Sequence, residues 1–250
     1  MNNNVRRIGV LAPPGNVAME RELPRYVPEG IAINHNRLSR PGSGITKESL
    51  LAMIDSVDRA AHDLAQAYPE VILYGCTSGS FLAGPGREDD LGKRITGGTG
   101  IPAYTTSTAV IMGLRAVAAK RVFMITPYPD EVNLHEIEFL AHHGVTVHGW
   151  DAFRCPTSED IRKLSSDQVA EKALSHRERI SGCDALFLSC TNMLTMDRIE
   201  LLERDLGMPV LSSNQCTLWV GLKHMGVDVN GVRCGALFET IRQPAAIVAA

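Results

Sequence analysis

The chain has 250 residues, of which 44% are apolar and 21% are charged, and its formal net charge is −3. This length and apolar content allow one large domain or two smaller ones with a substantial core. Charges of both signs are spread along the sequence without a basic block, which argues against a nucleic-acid partner. The first residues lack the apolar stretch of a signal peptide, and no apolar run has the roughly 18 residues that a membrane span needs. We therefore expect a cytoplasmic protein with no membrane partner.

Strands and helices alternate along the chain. Short apolar runs predict strands buried in a parallel sheet, whereas apolar residues at every third or fourth position predict helices. The predicted strands cover residues 7–12, 31–34, 71–74, 101–106, 121–126, 145–150, 185–188 and 208–213. The predicted helical segments cover residues 48–68, 91–96, 110–117, 133–143, 167–182 and 217–224. Residues 37–46 are polar and rich in Gly and Pro, which predicts a loop. The glycine-rich stretch 84–100, which includes GGTG at 97–100, predicts a plain connection because it matches no phosphate-binding motif.

The elements repeat in two halves. Cys76 and Cys190 are separated by the same number of residues as Pro13 and Pro127, and each cysteine is followed by threonine. Strands that alternate with helices imply parallel βαβ units. We therefore predict an α/β fold of two similar parallel-sheet domains related by a pseudo-two-fold axis, with the active site in the cleft between them. The predicted first half contains residues 1–118, joined by the C-terminal residues 225–250, and the second contains residues 119–224.

Six cysteines occur in the chain, and no two of them have the C-x-x-C spacing of a structural zinc site. We therefore predict free thiols and no metal site. Cys76 and Cys190 stand apart because each follows a predicted buried strand, VILY at residues 71–74 and ALFL at residues 185–188. The carboxyl ends of such strands are where open α/β sheets bind ligands, so we expect the two thiols to face each other across the cleft.

Two facing thiols support a limited set of reactions. One thiolate and one thiol on opposite sides of a carbon allow racemisation, or cis–trans isomerisation through addition to a double bond. One thiol alone suffices to protonate the carbanion that decarboxylation leaves. Each reaction needs donors for an enediolate-like anion. The sequence offers hydroxyl, amide and backbone donors at five positions: Thr77, Ser78, Tyr128, Thr191 and Asn192.

Two further polar residues each have two interpretations. Asn16 follows the first strand, where it is either a helix cap or an amide that binds a substrate carboxylate. Arg40, in the predicted loop, either meets an anionic substrate or is solvated. The eight histidines lack a carboxylate-containing metal motif such as H-E-x-x-H and give no catalytic assignment.

The chain resembles the aspartate/glutamate racemase superfamily, which includes maleate cis–trans isomerases and arylmalonate decarboxylases. The similarity covers nearly the whole chain. It rests on five segments: PPGNVAME at 13–20, GCTSGSF at 75–81, TPYPDEVN at 126–133, LSCTNMLTMD at 188–197 and LGMPVLSS at 206–213. The resemblance implies two flavodoxin-like domains with the active site between them and no cofactor.

The two branches of the superfamily match different residues. Arylmalonate decarboxylases have a cysteine that matches Cys190 but a glycine at the position of Cys76, and their dioxyanion cradle matches Thr77, Ser78 and Tyr128. The stretch from TGIPAYTTSTAVIMGLRA onward and the residues after the second cysteine also resemble this branch.

Maleate isomerases have both cysteines, a tyrosine that matches Tyr128, and an asparagine that matches Asn16. They carry a further substrate-binding asparagine near the position at which this chain has Ser158.

We predict a cofactor-independent isomerase that converts maleate to fumarate, with Cys76 as the nucleophile and Cys190 as the acid/base partner. The predicted substrate-binding residues are Asn16, Thr77, Ser78, Tyr128, Thr191 and Asn192. Alternatives are a decarboxylase of arylmalonates or other substituted malonates, an amino-acid racemase of the Asp/Glu type, and a non-catalytic dicarboxylate-binding protein. The expected partner is a small dicarboxylate. An apolar helix such as residues 110–117 is compatible with a homodimer, although core packing explains it equally well.

Overall fold

The structure is a computed structural model that describes residues 5–82 and 84–242. Eight strands form two sheets of four, and all pairings within them are parallel. The strands are β1 Arg6–Ala12, β2 Ile31–Arg37, β3 Val71–Tyr74, β4 Ala103–Thr105, β5 Arg121–Thr126, β6 Thr146–Ala152, β7 Ala185–Leu188 and β8 Val210–Ser212. Across the described ranges, no helix combines the length and apolar character that crossing a membrane requires.

The α-helices surround the sheets and connect successive strands. They are α1 Ala18–Glu22, α2 Lys47–Leu51, α3 Val57–Ala65, α4 Thr77–Phe81, α5 Asp90–Thr99, α6 Thr106–Ala116, α7 Asp130–His142, α8 Ser158–Arg162, α9 Ser166–Ser175, α10 Arg177–Ile180, α11 Ile199–Leu206, α12 Ser213–His224 and α13 Gly235–Arg242. Short 3₁₀ segments cover Leu23–Arg25, Ala52–Ser56 and Met196–Arg198.

The two sheets have the same strand order. It is β2-β1-β3-β4 in the first sheet and β6-β5-β7-β8 in the second. This repeat confirms the predicted fold class of two similar parallel-sheet α/β halves. In each sheet the winding changes direction between the two central strands, which creates a crevice beyond their carboxyl ends. The fold therefore offers one such crevice in each half.

Burial along the strands follows their composition. All four residues of β3 and all four of β7 are buried, as their unbroken apolar runs predict. The edge strand β2, with the sequence IAINHNR, is only half-buried along its whole length. Its polar residues suit an edge position with one neighbouring strand.

Two local predictions were wrong. The single helix predicted over residues 48–68 is divided into α2, a 3₁₀ segment and α3. Within this region, the Ser56 hydroxyl bonds back to the carbonyl of Met53, which competes with regular helical hydrogen bonding. The end of the predicted connection, residues 97–99, is instead the last turn of α5, and Gly100 follows this helix with a left-handed φ of 72°.

The two halves share a core through α6 and α12. A Cβ atom at Gly113 would lie 2.9 Å from Cys216 Sγ, so the absence of a side chain permits this close packing of α6 on α12. Helix α12 also reaches the first sheet, because a Cβ atom at Gly221 would lie 3.2 Å from Leu73 Cδ1. The helix that follows the last strand of the second sheet therefore covers the first sheet.

The predicted domain boundaries stay predictions. The segment after residue 224 contacts both halves, since Arg6 donates a hydrogen bond to the carbonyl of Met225 and the Ala236 N–H donates to Glu203. Residues 1–4 and 243–250, which belong to the predicted first half, lie outside the described residues.

A buried carboxyl joins the first half to the loop after β7. Glu22 in α1 accepts hydrogen bonds from the N–H groups of Thr195 at 2.5 Å and Met196 at 2.8 Å, and from Asn214 Nδ2 at 2.6 Å. Burial raises the pKa of Glu22 to about 7 and outweighs these three donors, which lower the pKa. The folded chain therefore holds a carboxyl that titrates near neutrality at the junction of its halves.

We expect ionisation of Glu22 to destabilise the folded chain. Its pKa rises from 4.5 to about 7 on folding, so between these values the folded state binds more protons and the free energy of unfolding falls as pH rises. For one group, this amounts to about 3 kcal/mol over the window. The neutral isostere Glu22→Gln should therefore lose less stability than the wild type between pH 5 and pH 8, measured by urea unfolding.

The matched control is Glu20→Gln, on the same helix. Glu20 forms an exposed ion pair with Arg37, so its removal should change the free energy of unfolding by less than about 1 kcal/mol. The same pH dependence in the wild type and in Glu22→Gln would contradict a titrating Glu22.

Candidate active site

Four of the candidate site residues follow the ends of the central strands, two in each sheet. Asn16 follows β1, Cys76 follows β3, Tyr128 follows β5 and Cys190 follows β7. These strands flank the points at which the winding of each sheet changes direction. Their carboxyl ends therefore bring residues from distant parts of the sequence into one crevice.

All the predicted site residues line one cavity of about 30 Å³. They are Asn16, Cys76, Thr77, Ser78, Tyr128, Cys190, Thr191 and Asn192. Its remaining lining consists of Pro13, Arg40, Ile45, Leu50, Ser158 and Ile161. The structure thus places these predicted residues together, while their chemical roles stay predictions. A wider cleft of about 320 Å³, lined in part by Arg21 and Arg162, contains neither of the paired cysteines.

Close packing holds the Cys76 thiol at the start of α4. Its Sγ accepts a hydrogen bond from the Gly79 N–H at 3.3 Å. A Cβ atom at Gly79 would lie 3.0 Å from this sulfur, and a Cβ atom at Gly75 would lie 2.5 Å from Met19 Sδ. Both glycines of the G-C-T-S-G segment therefore lie where a side chain would crowd the thiol or its neighbours.

The Cys190 thiol has a similar environment in the second half. Its Sγ accepts a hydrogen bond from the Asn192 N–H at 3.3 Å, and its own N–H donates to Ser213 Oγ at 3.0 Å. The φ of Cys190 is 140°, a value that residues with a Cβ atom rarely adopt. The surrounding hydrogen bonds therefore hold a strained residue at the end of β7.

Each threonine after a cysteine contacts the opposite half. Thr77 Oγ1 donates to Ser213 Oγ at 2.9 Å, and Thr191 Oγ1 donates to the carbonyl of Gly75 at 3.0 Å. Because Ser213 also accepts from the Cys190 N–H, the two cysteine loops belong to one buried network. This network fixes the position of one thiol relative to the other.

Both asparagines link elements around the cavity. Asn16 Oδ1 accepts from the Met19 N–H at 3.2 Å, as expected of a cap, and its Nδ2 donates to Thr191 Oγ1 at 3.0 Å. An amide nitrogen carries two hydrogens, so Asn16 keeps one for a ligand. Asn192 bonds through its side chain to backbone groups on both sides of the cleft. The two interpretations of Asn16 are therefore compatible with each other.

Burial raises the pKa of both paired thiols, and their neighbours differ. At Cys76, the rise is opposed by the Gly79 N–H, the Ser78 hydroxyl and the positive charge of Arg40. At Cys190, burial raises the pKa to about 12 although the Tyr128 hydroxyl and the Asn192 N–H oppose the rise. The positive charge of Arg40 favours the thiolate of Cys76, whereas burial keeps the Cys190 thiol protonated.

The structure places Arg40 in the lining of the cavity, and its contact with a substrate stays a prediction. Arg40 Nη2 donates to Ser158 Oγ at 2.8 Å, and the same two loops form a β-bridge between Gly44 and Thr157. The first sheet supplies one loop and the second sheet the other. Local sequence carries no signal for this pairing because the two loops are more than a hundred residues apart.

Sequence reasoning missed one buried carboxyl near the site. Glu136 in α7 accepts a hydrogen bond from Ser189 Oγ at 2.5 Å. Ser189 is the residue immediately before Cys190. Burial raises the pKa of Glu136 to about 8. The sequence predicts that a lone glutamate in a helix is solvated, so only its contact with Ser189, the residue after β7, reveals its position.

The fold is an α/β architecture of two similar parallel sheets, and two cysteines, one after a strand of each sheet, line one cavity. The family model described as arylmalonate decarboxylase matches residues 8–238. The chain therefore belongs to the arylmalonate decarboxylase family, and the predicted superfamily is confirmed.

Individual relatives represent both branches. A maleate isomerase of Nocardia farcinica is 29% identical over 98% of this chain and 99% of its own length. An arylmalonate decarboxylase of Bordetella bronchiseptica is 31% identical over 88% of this chain and 90% of its own. Among solved structures, a cysteine-to-serine mutant of the Nocardia farcinica maleate cis–trans isomerase, with a covalently bound succinylcysteine intermediate, has a TM-score of 0.85 at 27% identity. That match covers 96% of this chain and 99% of the other.

We expect iodoacetamide to distinguish the two thiols. Burial keeps the Cys190 thiol protonated at pH 8 by raising its pKa, whereas Arg40 favours the Cys76 thiolate. Peptide mapping by mass spectrometry should therefore show faster alkylation of Cys76. The Arg40→Gln variant should shift the Cys76 alkylation profile to higher pH, since it removes the stabilising charge. Equal rates at both thiols would contradict their assignment.

Proposed function

We propose that the protein is a cofactor-independent isomerase that converts maleate to fumarate with Cys76 and Cys190. One observation carries this proposal: two thiols with different neighbours, one from each half, line a single small cavity. Cis–trans isomerisation by nucleophilic addition needs both a nucleophile and a separate proton donor. The unequal thiols supply these two functions.

The substrate carboxylates would be held by polar groups already directed into the cavity. The free amide hydrogen of Asn16 and the Tyr128 hydroxyl are donors from different halves. Backbone N–H groups around Thr77 and Thr191 add donors at the ends of β3 and β7. Such donors also stabilise the negative charge that moves onto a carboxylate during addition.

In the proposed reaction, the Cys76 thiolate attacks one alkene carbon and forms a C–S bond. The electron pair of the double bond moves to the other carbon, which takes a proton from the Cys190 thiol. The product is a succinyl thioether with a single bond between the two central carbons. Rotation about this bond brings the carboxylates to opposite sides. The Cys190 thiolate then removes the proton, the C–S bond breaks, and fumarate and the Cys76 thiolate are released.

The environment of Cys190 suits this acid/base role. Its pKa of about 12 keeps the resting thiol protonated, and the Asn192 N–H stabilises the thiolate formed in the reaction. The charge on the Cys76 thiolate also raises the pKa of Cys190. Capture of the Cys76 thiolate by substrate would therefore lower the pKa of Cys190 and help it release its proton.

The cavity is narrow in the structure. Its volume of about 30 Å³ has room for little more than a water molecule, so a four-carbon dicarboxylate requires movement of the covering residues. Ile45, Leu50 and Ile161 form the apolar part of this cover. Their closure over the substrate would exclude water from the thioether and strengthen its electrostatic contacts.

A second candidate is decarboxylation of a substituted malonate. The same apolar side chains that cover the cavity would suit an aryl or alkyl substituent, and Cys190 alone can protonate the carbanion left when carbon dioxide departs. This reading predicts carbon dioxide release and does not require Cys76. The racemase alternative predicts solvent deuterium at a stereocentre, and a binding protein predicts stabilisation by a ligand without turnover.

The deciding experiment is proton NMR of the purified protein with maleate in D₂O. Growth of a fumarate signal is expected for the wild type. Cys76→Ser and Cys190→Ser should each lower the rate by more than about 100-fold, since each removes one of two required groups. Cys155→Ser is the matched control, because this buried cysteine lies outside the cavity lining.

Retained activity in Cys190→Ser together with loss in Cys76→Ser would contradict the two-thiol mechanism. No fumarate from the wild type, with carbon dioxide released from phenylmalonate, would replace isomerisation by decarboxylation.

Three further expectations, on cellular location, oligomeric state and domain boundaries, are part of the proposal. A cytoplasmic location is supported by the six free cysteines. A homodimer stays a prediction, and the residues Val110 and Leu114 that prompted it are buried within this chain. We also retain the proposed domain boundaries at residues 118 and 224. Residue 118 lies between the last strand of the first sheet and the first strand of the second.

A further inference from the structure

Arg40 is the only positively charged side chain among the described residues that line the cavity. It comes from the loop after β2 and reaches residues that follow strands of both sheets. It also lines an open groove of about 430 Å³ beside Ser39 and Pro41. Arg40 therefore borders both the cavity and this groove.

The hydrogen-bonding capacity of this guanidinium is largely unused. Its Nη2 donates to Ser158 Oγ, but its Nε is buried and has no hydrogen-bond partner in the described part of the chain. No described carboxylate forms an ion pair with Arg40. Burial of an unpaired cation and an unsatisfied donor is unfavourable, and an oxyanion ligand would relieve both.

Ser158 holds the guanidinium in this position. Its hydroxyl accepts from Arg40, while its carbonyl accepts from Asn192 Nδ2 at 3.2 Å. A serine is also too short to reach far into the cavity with a donor of its own. The pair of Arg40 and Ser158 thus places a planar, doubly donating group where a serine alone offers one hydroxyl.

We propose that Arg40 binds the second carboxylate of the substrate and selects dicarboxylates over monocarboxylates. This inference rests on the proposed function for the identity of the site. Asn16 and Tyr128 would hold one carboxylate, and the Arg40 side chain, anchored by Ser158, would hold the other. The chemical class of ligand is a short dicarboxylate, and Arg40 is its specificity-determining residue.

A competing explanation is that Arg40 only pins the two covering loops together. Ser158→Ala separates these explanations because it removes the hydrogen bond between the loops and leaves the positive charge. A pinning role predicts that Ser158→Ala and Arg40→Gln have equal effects on every ligand. A recognition role predicts that Arg40→Gln has the larger effect, and only on dicarboxylates.

Succinate and butyrate provide a matched pair of probes for calorimetric titration. Both have four carbons, neither can isomerise, and they differ in one carboxylate. We expect the wild type to bind succinate more tightly than butyrate. Arg40→Gln should weaken succinate binding by about 10- to 100-fold and butyrate binding by less than about 3-fold. The succinate affinity of Arg40→Lys should lie between those of the wild type and Arg40→Gln, since lysine keeps the positive charge but lacks the planar pair of donors.

Thermal melting of each variant establishes that it is folded before titration. Equal succinate affinity in the wild type and Arg40→Gln would overturn the proposal, as would equal losses for succinate and butyrate. Failure of the wild type to bind succinate would overturn it as well. If succinate binding depends on Arg40 but maleate is not isomerised, dicarboxylate recognition stands and the proposed reaction falls.

Discussion

The structure depends on one constraint: the thiolate that its chemistry requires lies in a site enclosed away from water. Both thiols are buried, and burial disfavours the thiolate that any of their reactions requires. The fold offsets this with fixed dipoles and one cation: the N–H groups of Gly79 and Asn192, hydroxyls that cross the cleft, and Arg40. Because these groups are held by buried hydrogen bonds, they need no rearrangement when negative charge develops.

The repeated architecture supplies two equivalent thiols, and the loops make them different. In both halves, a cysteine follows a buried strand and accepts a hydrogen bond from a nearby N–H. The first cysteine has Arg40 beside it, whereas the second lies near the buried carboxyl of Glu136 and the first cysteine. Isomerisation needs unlike partners, while racemisation between mirror-image substrates favours like ones. The asymmetric loops therefore support the isomerase over the racemase.

Much of the fold and the site could be predicted because their signals are local. Unbroken apolar runs marked β3 and β7, and the repeated Cys-Thr pairs marked the strand ends where ligands bind. Arg40 and Ser158 were harder to assign, since their contact depends on how two distant loops meet. Glu22 and Glu136 gave no signal, because a glutamate in a helix reads as solvated until its neighbours are known. The charged state of these residues depends on tertiary contacts, which the spacing of apolar residues along the sequence does not reveal.

The placement of α12 on the first sheet has a consequence for biosynthesis. The first sheet is complete once β4 has been made, yet part of its cover is a helix translated more than a hundred residues later. A nascent chain that ends before α12 exposes apolar surface around Leu73. Stable assembly of the first half therefore waits for the second, and the cleft forms only when both are present. Contacts of such high sequence separation favour slow, cooperative folding of the whole chain.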